Sequence, residues 1–325
     1  MLLAAAMILF GFVVLIWSAD LFVAGAASIA KNLGMSPIII GLTIVSIGTS
    51  APEILVSTTA SLSGAGDLAI GNAIGSNIAN IALVLGLTVL VAPLMVEQRC
   101  MKIEMPILLL ATFGVFALIS DGELTSFDGW LMISVLLVLV ALLVRLRVGD
   151  AELSEEEEAT GAMPHLTKGR AWVTFFFGLV LLVASSKALV WGAVFAAEEL
   201  GVSKLVIGLT VVAIGTSLPE LAASITSALR GHTEIALGNI IGSNLFNLLA
   251  VMAIPGVVAT QILEPAAISR DYLMMTLLTV FLALAIFVSR KGSKASAGHA
   301  YLGRIVGTML VSFYVLYYCL LYSTM

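Results

Sequence analysis

Residues 41–53 read "GLTIVSIGTSAPE", and residues 208–220 read "GLTVVAIGTSLPE". Each places a proline beside a glutamate inside a run that is otherwise apolar. A shift of 167 residues lays 41–80 on 208–247 without a gap, and 22 of those 40 positions are identical. The stretch "GNAIGSNIAN" at 71–80 then falls on "GNIIGSNLFN" at 238–247. Ser18, Gly25 and Gly34 fall on Ser185, Gly192 and Gly201 in the same register. Shared apolar composition would align Leu with Leu, not Pro with Pro and Glu with Glu. The chain therefore carries an internal repeat, which constrains the fold more than any local propensity.

The 325 residues are 60% hydrophobic and 11% charged, against about 45–50% and about 25% in soluble domains. Apolar blocks recur as far as Tyr322, each long enough to cross about 30 Å of hydrocarbon. Breaks between them predict ten spans, near 3–30, 37–62, 67–94, 104–121, 127–147, 171–198, 204–229, 234–260, 271–289 and 303–322. The first has no Lys or Arg before it and is too long for a cleaved leader, so it is expected to remain as a membrane helix. The one long polar segment, 148–170, divides the spans five and five.

An odd number of spans per repeat makes the second half enter the membrane from the opposite side, as in many secondary transporters. The expected fold is an all-α polytopic membrane protein of ten transmembrane helices in two inverted five-helix repeats. These are residues 1–147 and 171–325, joined by an acidic cytoplasmic loop at 148–170. Alternating the loops puts twelve Lys and Arg on one face and only Lys204 and Arg270 on the other, with Lys187 inside a span. The positive-inside rule then places both termini outside the cytoplasm of a cell (inner) membrane.

Several function classes drop away. The net charge of −5 is concentrated in one loop and does not suggest nucleic acid. Cys100 and Cys319 lack metal-site spacing. All three histidines, His165, His232 and His299, fall in loops without HExxH or G-x-S-x-G, so an intramembrane enzyme is a remote alternative and no cofactor is expected. The run "SEEEE" at 154–158 lacks EF-hand spacing and reads as a solvated linker rather than a regulatory Ca²⁺ patch. Asp20 and Lys187 occupy equivalent repeat positions with opposite charge, as partners or as headgroup contacts.

An intramembrane carboxylate costs roughly 2.5–3.5 kcal/mol on insertion scales and marks a functional site by default. Glu53 and Glu220 are two such groups, in equivalent positions. Thr49 precedes Glu53 by one helical turn, as Thr216 precedes Glu220, with Ser50 and Ser217 alongside. Pro52 and Pro219 have no N–H for the carbonyls of Gly48 and Gly215, so backbone acceptors are freed. Ser76 with Asn80, and Ser243 with Asn247, repeat the i, i+4 spacing on the following spans. Gly71 and Gly75 permit close helix packing, and Asn72, Asn77, Asn239 and Asn244 are expected to cross-link helices rather than bind an ion. Hard oxygen donors without His or Cys suit Ca²⁺ or Na⁺. Two carboxylates neutralise one Ca²⁺ or two Na⁺, which is the basis of an exchanger.

"GTSAPE" with "GNAIGSNIAN", and "GTSLPE" with "GNIIGSNLFN", together resemble the two alpha-repeats of the sodium/calcium exchanger family among the cation/calcium exchangers. The resemblance extends to the ten-span layout and implies a compact prokaryotic antiporter of Ca²⁺ and Na⁺ working by alternating access. It implies Glu53 and Glu220 as shared acidic ligands, and Thr49, Ser50, Ser76, Thr216, Ser217 and Ser243 as sources of hydroxyl or backbone oxygen. The carbonyls of Ser46 and Ala213 match backbone ligands for Na⁺, and Asn80 matches an amide position. Asn247 stands where some members carry Asp, which leaves stoichiometry and any part for K⁺ or H⁺ open. A Ca²⁺/H⁺ or K⁺-dependent exchanger is the alternative within transport, and the oligomeric state is not specified.

Overall fold

The computed structural model describes residues 2–147, 166–201, 213–290 and 299–323. The first half comprises α1 (Leu2–Leu33), α2 (Pro37–Thr49), α3 (Ala51–Leu62), α4 (Gly66–Val91), α5 (Cys100–Ile119) and α6 (Ser126–Arg147). The second comprises α7 (Lys168–Glu199), α8 (Leu218–Leu229), α9 (Thr233–Val258), α10 (Ala267–Ser289) and α11 (Arg304–Ser323). A short helical turn, Ala213–Thr216, precedes α8. Among the described residues eight helices are long and apolar enough to cross a membrane, and the bent pair α2–α3 makes a ninth. The tenth expected span, 204–229, falls partly outside the described residues, as do Lys204 and the acidic run 154–158.

Glycine sets how the two longest helices meet. A Cβ on Gly25 would lie 2.5 Å from the Phe175 backbone nitrogen, and one on Gly178 would lie 2.5 Å from that of Phe22. Farther along, Gly11 abuts Leu189, and Gly192 abuts Ala4 and Ile8. Residue numbers rise along α1 as they fall along α7, so the pair is antiparallel. The rings of Phe22 and Phe175 stack at the crossing, 4.8 Å between centroids. This pair has its own small core, joined by Ile40, Val45, Ala223 and Ile235, while a larger core holds α4, α5, α6, α9, α10 and α11 together.

Burial is inverted relative to a soluble protein. Phe10 and Leu137 are each 66% exposed, whereas Glu53 and Glu220 are 1% and 0% exposed. Such an exterior is stable only against hydrocarbon, and the protein is an all-helical, multi-pass membrane protein in its spans. Two short pairs of strands, absent from the sequence expectation, tie the helix ends. β1 (Leu94–Glu97) pairs antiparallel with β4 (His299–Leu302), and β2 (Glu123–Leu124) with β3 (Gln261–Ile262). The four-residue strands do alternate, with Leu94, Val96, Ala300 and Leu302 buried, but so short a pattern is not distinguishable from a helix end in the sequence. The 167-residue shift lays Leu94 on Gln261, so the equivalent strands β1 and β3 each pair with a segment of the opposite half.

Asp20 does not pair with Lys187. It accepts from Arg230, whose Nη2 lies 2.9 Å from Asp20 Oδ1, with both side chains nearly half exposed.

Candidate ion-binding site

The repeated hexapeptides produce a break in each half. α2 and α3 meet at Ser50 with a bend of 46°. Pro52 stands in the first turn of α3 and Pro219 in the first turn of α8, positions where a missing N–H costs no helical bond. Glu53 and Glu220 occupy those same first turns. There the uncompensated N–H groups and the helix dipole favour negative charge. The break therefore frees acceptors before it and stabilises a carboxylate after it.

The carbonyls before the breaks are engaged in different ways. The Gly215 carbonyl accepts from Ser186 Oγ of α7 at 2.9 Å. The Ser46 carbonyl accepts the Ser50 N–H at 2.9 Å and lies 3.4 Å from the donating Thr49 Oγ1. Ala213 opens the helical turn before α8.

The two breaks are brought together across the fold. Ser50 Oγ donates to Glu220 Oε1 at 3.1 Å, joining one hexapeptide to the carboxylate of the other. Thr49 Oγ1 donates to Asn239 Oδ1 at 3.0 Å and lies 3.5 Å from Ser243 Oγ. Thr49, Ser50, Ser76, Asn80, Ser217, Ser243 and Asn247 are all buried, as is Ser46, while Thr216 is half-buried. Asn80 and Asn247 sit in π-helical segments, Ala79–Leu85 and Asn247–Val251. Such wide turns are typically found at functional positions.

Several of these polar atoms have no hydrogen-bond partner although they are buried. They are Glu53 Oε2, Glu220 Oε2, Ser217 Oγ and both amide atoms of Asn80 and Asn247. Buried polar atoms are nearly always satisfied, so a cluster of such oxygens is a candidate place for a cation or ordered water. Two carboxylate oxygens, amide oxygens and hydroxyls suit a hard cation. Among the described residues no group of three or more His, Cys, Asp and Glu could hold a metal. The carboxylate, hydroxyl and amide oxygens together make up a mixed oxygen donor set.

The other asparagines behave as structural links. Asn72 and Asn239 donate to the main-chain carbonyls of Glu53 and Glu220, at 3.2 and 3.4 Å. Asn77 and Asn244 donate to Ala73 and Ile240 of their own helices, at 3.0 and 2.7 Å. Gly238 and Gly242 pack against α2, each with a Cβ position 2.5 Å from a carbonyl oxygen, Ile38 and Leu42 respectively. Gly71 and Gly75, expected to do the same, have nothing within 4 Å among the described residues. Sequence reading overlooked Ser57 and Ser224, which follow Glu53 and Glu220 by four residues and are buried. Their spacing from the carboxylates, in both repeats, was the available signal. Ser57 Oγ donates to the Val251 carbonyl at 2.9 Å, and Ser224 Oγ accepts from Asn239 Nδ2 at 3.0 Å.

Comparison with known proteins gives the chain its family. Residues 3–145 and 170–323 match the family described as sodium/calcium exchanger protein. The chain is 45% identical over 327 residues to the putative antiporter CaxA of Alkalimonas amylolytica, covering 100% of both. It is 32% identical to the sodium/calcium exchanger MaX1 of Methanosarcina acetivorans, covering 97% of each. The sodium–calcium exchanger NCX_Mj, solved after soaking with Na⁺ and Ca²⁺, superposes with a TM-score of 0.81 at 29% identity, again over 97% of each chain. The chain belongs to the sodium/calcium exchanger protein family, a family of cation/Ca²⁺ antiporters.

Proposed function

We propose that this protein exchanges Ca²⁺ for Na⁺ by alternating access at a site between two inverted five-helix halves. The observation that carries the proposal is the pair Glu53 and Glu220. These repeat-equivalent carboxylates are buried at the N-terminal turns of broken helices, each with an oxygen lacking a partner. Thr49, Ser50, Ser76, Asn80, Thr216, Ser217, Ser243 and Asn247 complete the site, with main-chain oxygen from Ser46 and Ala213. The names of MaX1 and NCX_Mj support Na⁺ as the coupling ion.

The antiparallel packing of α1 on α7 supports inverted halves, 1–147 and 171–325, in a ten-helix arrangement. The core of that pair meets the site helices through Ile40, Val45, Ala223 and Ile235, the contacts along which α1 and α7 would move against the bundle. Ca²⁺ or Na⁺ can drive the movement only through different affinities for the two states. Neutralising the carboxylates with either load permits the switch, and uncompensated buried charge opposes it. The loop charges favour a cell (inner) membrane with both termini outside the cytoplasm and segment 148–170 inside.

The test is Ca²⁺ flux in proteoliposomes under separately imposed Na⁺, K⁺ and pH gradients. The expected result is Ca²⁺ movement that follows the Na⁺ gradient with pH clamped. Movement that follows only the pH gradient would make the protein a Ca²⁺/H⁺ antiporter instead, and an absolute need for K⁺ would make it K⁺-dependent.

A further inference from the structure

The two repeats are in different states at the site. Thr49, Ser224 and Asn239 map by the 167-residue shift onto Thr216, Ser57 and Asn72. In the first set Thr49 Oγ1 donates to Asn239 Oδ1, and Asn239 Nδ2 donates to Ser224 Oγ, both at 3.0 Å. One buried amide thereby ties α2, α8 and α9 together. In the second set, among the described residues, the Asn72 side chain donates to the Glu53 carbonyl alone. Ser57 is turned instead toward Val251.

When two equivalent halves are inverted, exchanging their states yields the conformation that opens to the other side. We infer that Asn239 and Asn72 are alternating latches: Asn239 holds the conformation seen here by joining Thr49 to Ser224, and Asn72 joins Thr216 to Ser57 in the opposite-facing one. This rests on the antiporter reading above. Both asparagines are positioning residues, acting through the threonines.

The test reads conformation rather than transport. The full-length protein carries Cys319→Ser to remove the exposed thiol and Gly71→Cys as reporter, and is reconstituted without Ca²⁺. Labelling by a membrane-impermeant maleimide is timed from each face. Asn239→Ala is expected to slow labelling at position 71 about fivefold, the equivalent of losing one net hydrogen bond. Asn72→Ala, the same chemical change at the equivalent position, is expected to leave the rate unchanged or raise it. Ser224→Ala removes only the far end of the latch and is expected to act in the direction of Asn239→Ala, which covers the case in which that variant fails to fold. Equal slowing by Asn72→Ala, or no slowing by Asn239→Ala and Ser224→Ala, overturns the proposal. Ca²⁺ flux retained in both Glu53→Gln and Glu220→Gln would instead defeat the site reading, a separate outcome because labelling needs no bound ion.

Discussion

Asn247→Asp tests whether charge alone sets the coupling ratio. Asn247 is fully buried, and among the described residues neither of its amide atoms has a hydrogen-bond partner. Its main-chain carbonyl accepts the Met252 N–H at 2.9 Å, which holds the π-helical turn irrespective of the side chain. The isosteric change thus adds a carboxylate without removing a bond. With Glu53 and Glu220 alone, one Ca²⁺ or two Na⁺ neutralise the site, and their exchange moves no net charge. A third carboxylate calls for a third Na⁺, and each cycle then moves one elementary charge. That charge is worth about 2.3 kcal/mol per 100 mV, which is about fiftyfold in the steady-state Ca²⁺ ratio. The assay is the Ca²⁺ ratio across proteoliposomes at a fixed Na⁺ gradient, with the membrane potential clamped at zero and at 100 mV. The unchanged protein is expected to hold one ratio at both potentials, and Asn247→Asp to shift by about fiftyfold. A voltage-dependent ratio in the unchanged protein would refute the charge count. An electroneutral Asn247→Asp would place residue 247 outside the ion's electrostatic reach.

Two further expectations concern the site and its frame. Glu53→Gln and Glu220→Gln should each weaken Ca²⁺ binding by at least about a hundredfold, because removing one partner of a buried ion pair costs about 3–5 kcal/mol; isothermal titration or ⁴⁵Ca²⁺ binding measures it. Gly178→Val puts a Cβ 2.5 Å from the Phe22 main-chain nitrogen, so α1 and α7 must separate. The expected loss of about 1–3 kcal/mol appears as a lower melting temperature in detergent, and an unchanged one would contradict the antiparallel contact.

Much of this was legible because a repeat converts rare residues into evidence. A lone Pro52 or Glu53 has local explanations; the same pair at 219 and 220 does not share them. The hexapeptide broke the helix where proline chemistry said it would, at Ser50. What could not be read was which bonds each copy makes, since equivalent residues are in unequal environments. The carbonyl freed by Pro219 is taken by Ser186, yet the residue equivalent to Ser186 is Ala19, which has no donor to offer Gly48. Asn72 and Asn239 have the same sequence context but bind different partners. Gly71 and Gly238 follow the same rule of small residues at interfaces, and among the described residues only Gly238 is packed. Asp20 found Arg230, 210 residues away, on a helix end that periodicity cannot place. Local chemistry is encoded by the motif, whereas its pairing depends on contacts between residues far apart in the chain.

The unsatisfied atoms of Asn80 and Asn247 argue for a link between ion binding and stability. The two residues are related by the repeat, and both amide atoms of each lack partners in the interior. Asn77 and Asn244, also equivalent, lack a partner only at Oδ1, whereas here the whole amide is unpaired among the described residues. Each such buried group costs about 1–3 kcal/mol, so the ion-free site strains the fold that holds it. A cation that binds these oxygens in the folded chain stabilises it by RT ln(1 + [L]/Kd), about 2.7 kcal/mol at a hundredfold excess over Kd. Melting in detergent should therefore rise with Ca²⁺ and, at higher concentrations, with Na⁺. In Glu53→Gln/Glu220→Gln the ion-dependent rise should vanish while the ion-free protein stays folded. A rise of the same size in that double variant would mean that the stabilising ion binds elsewhere, and the orphaned amides would then need another explanation.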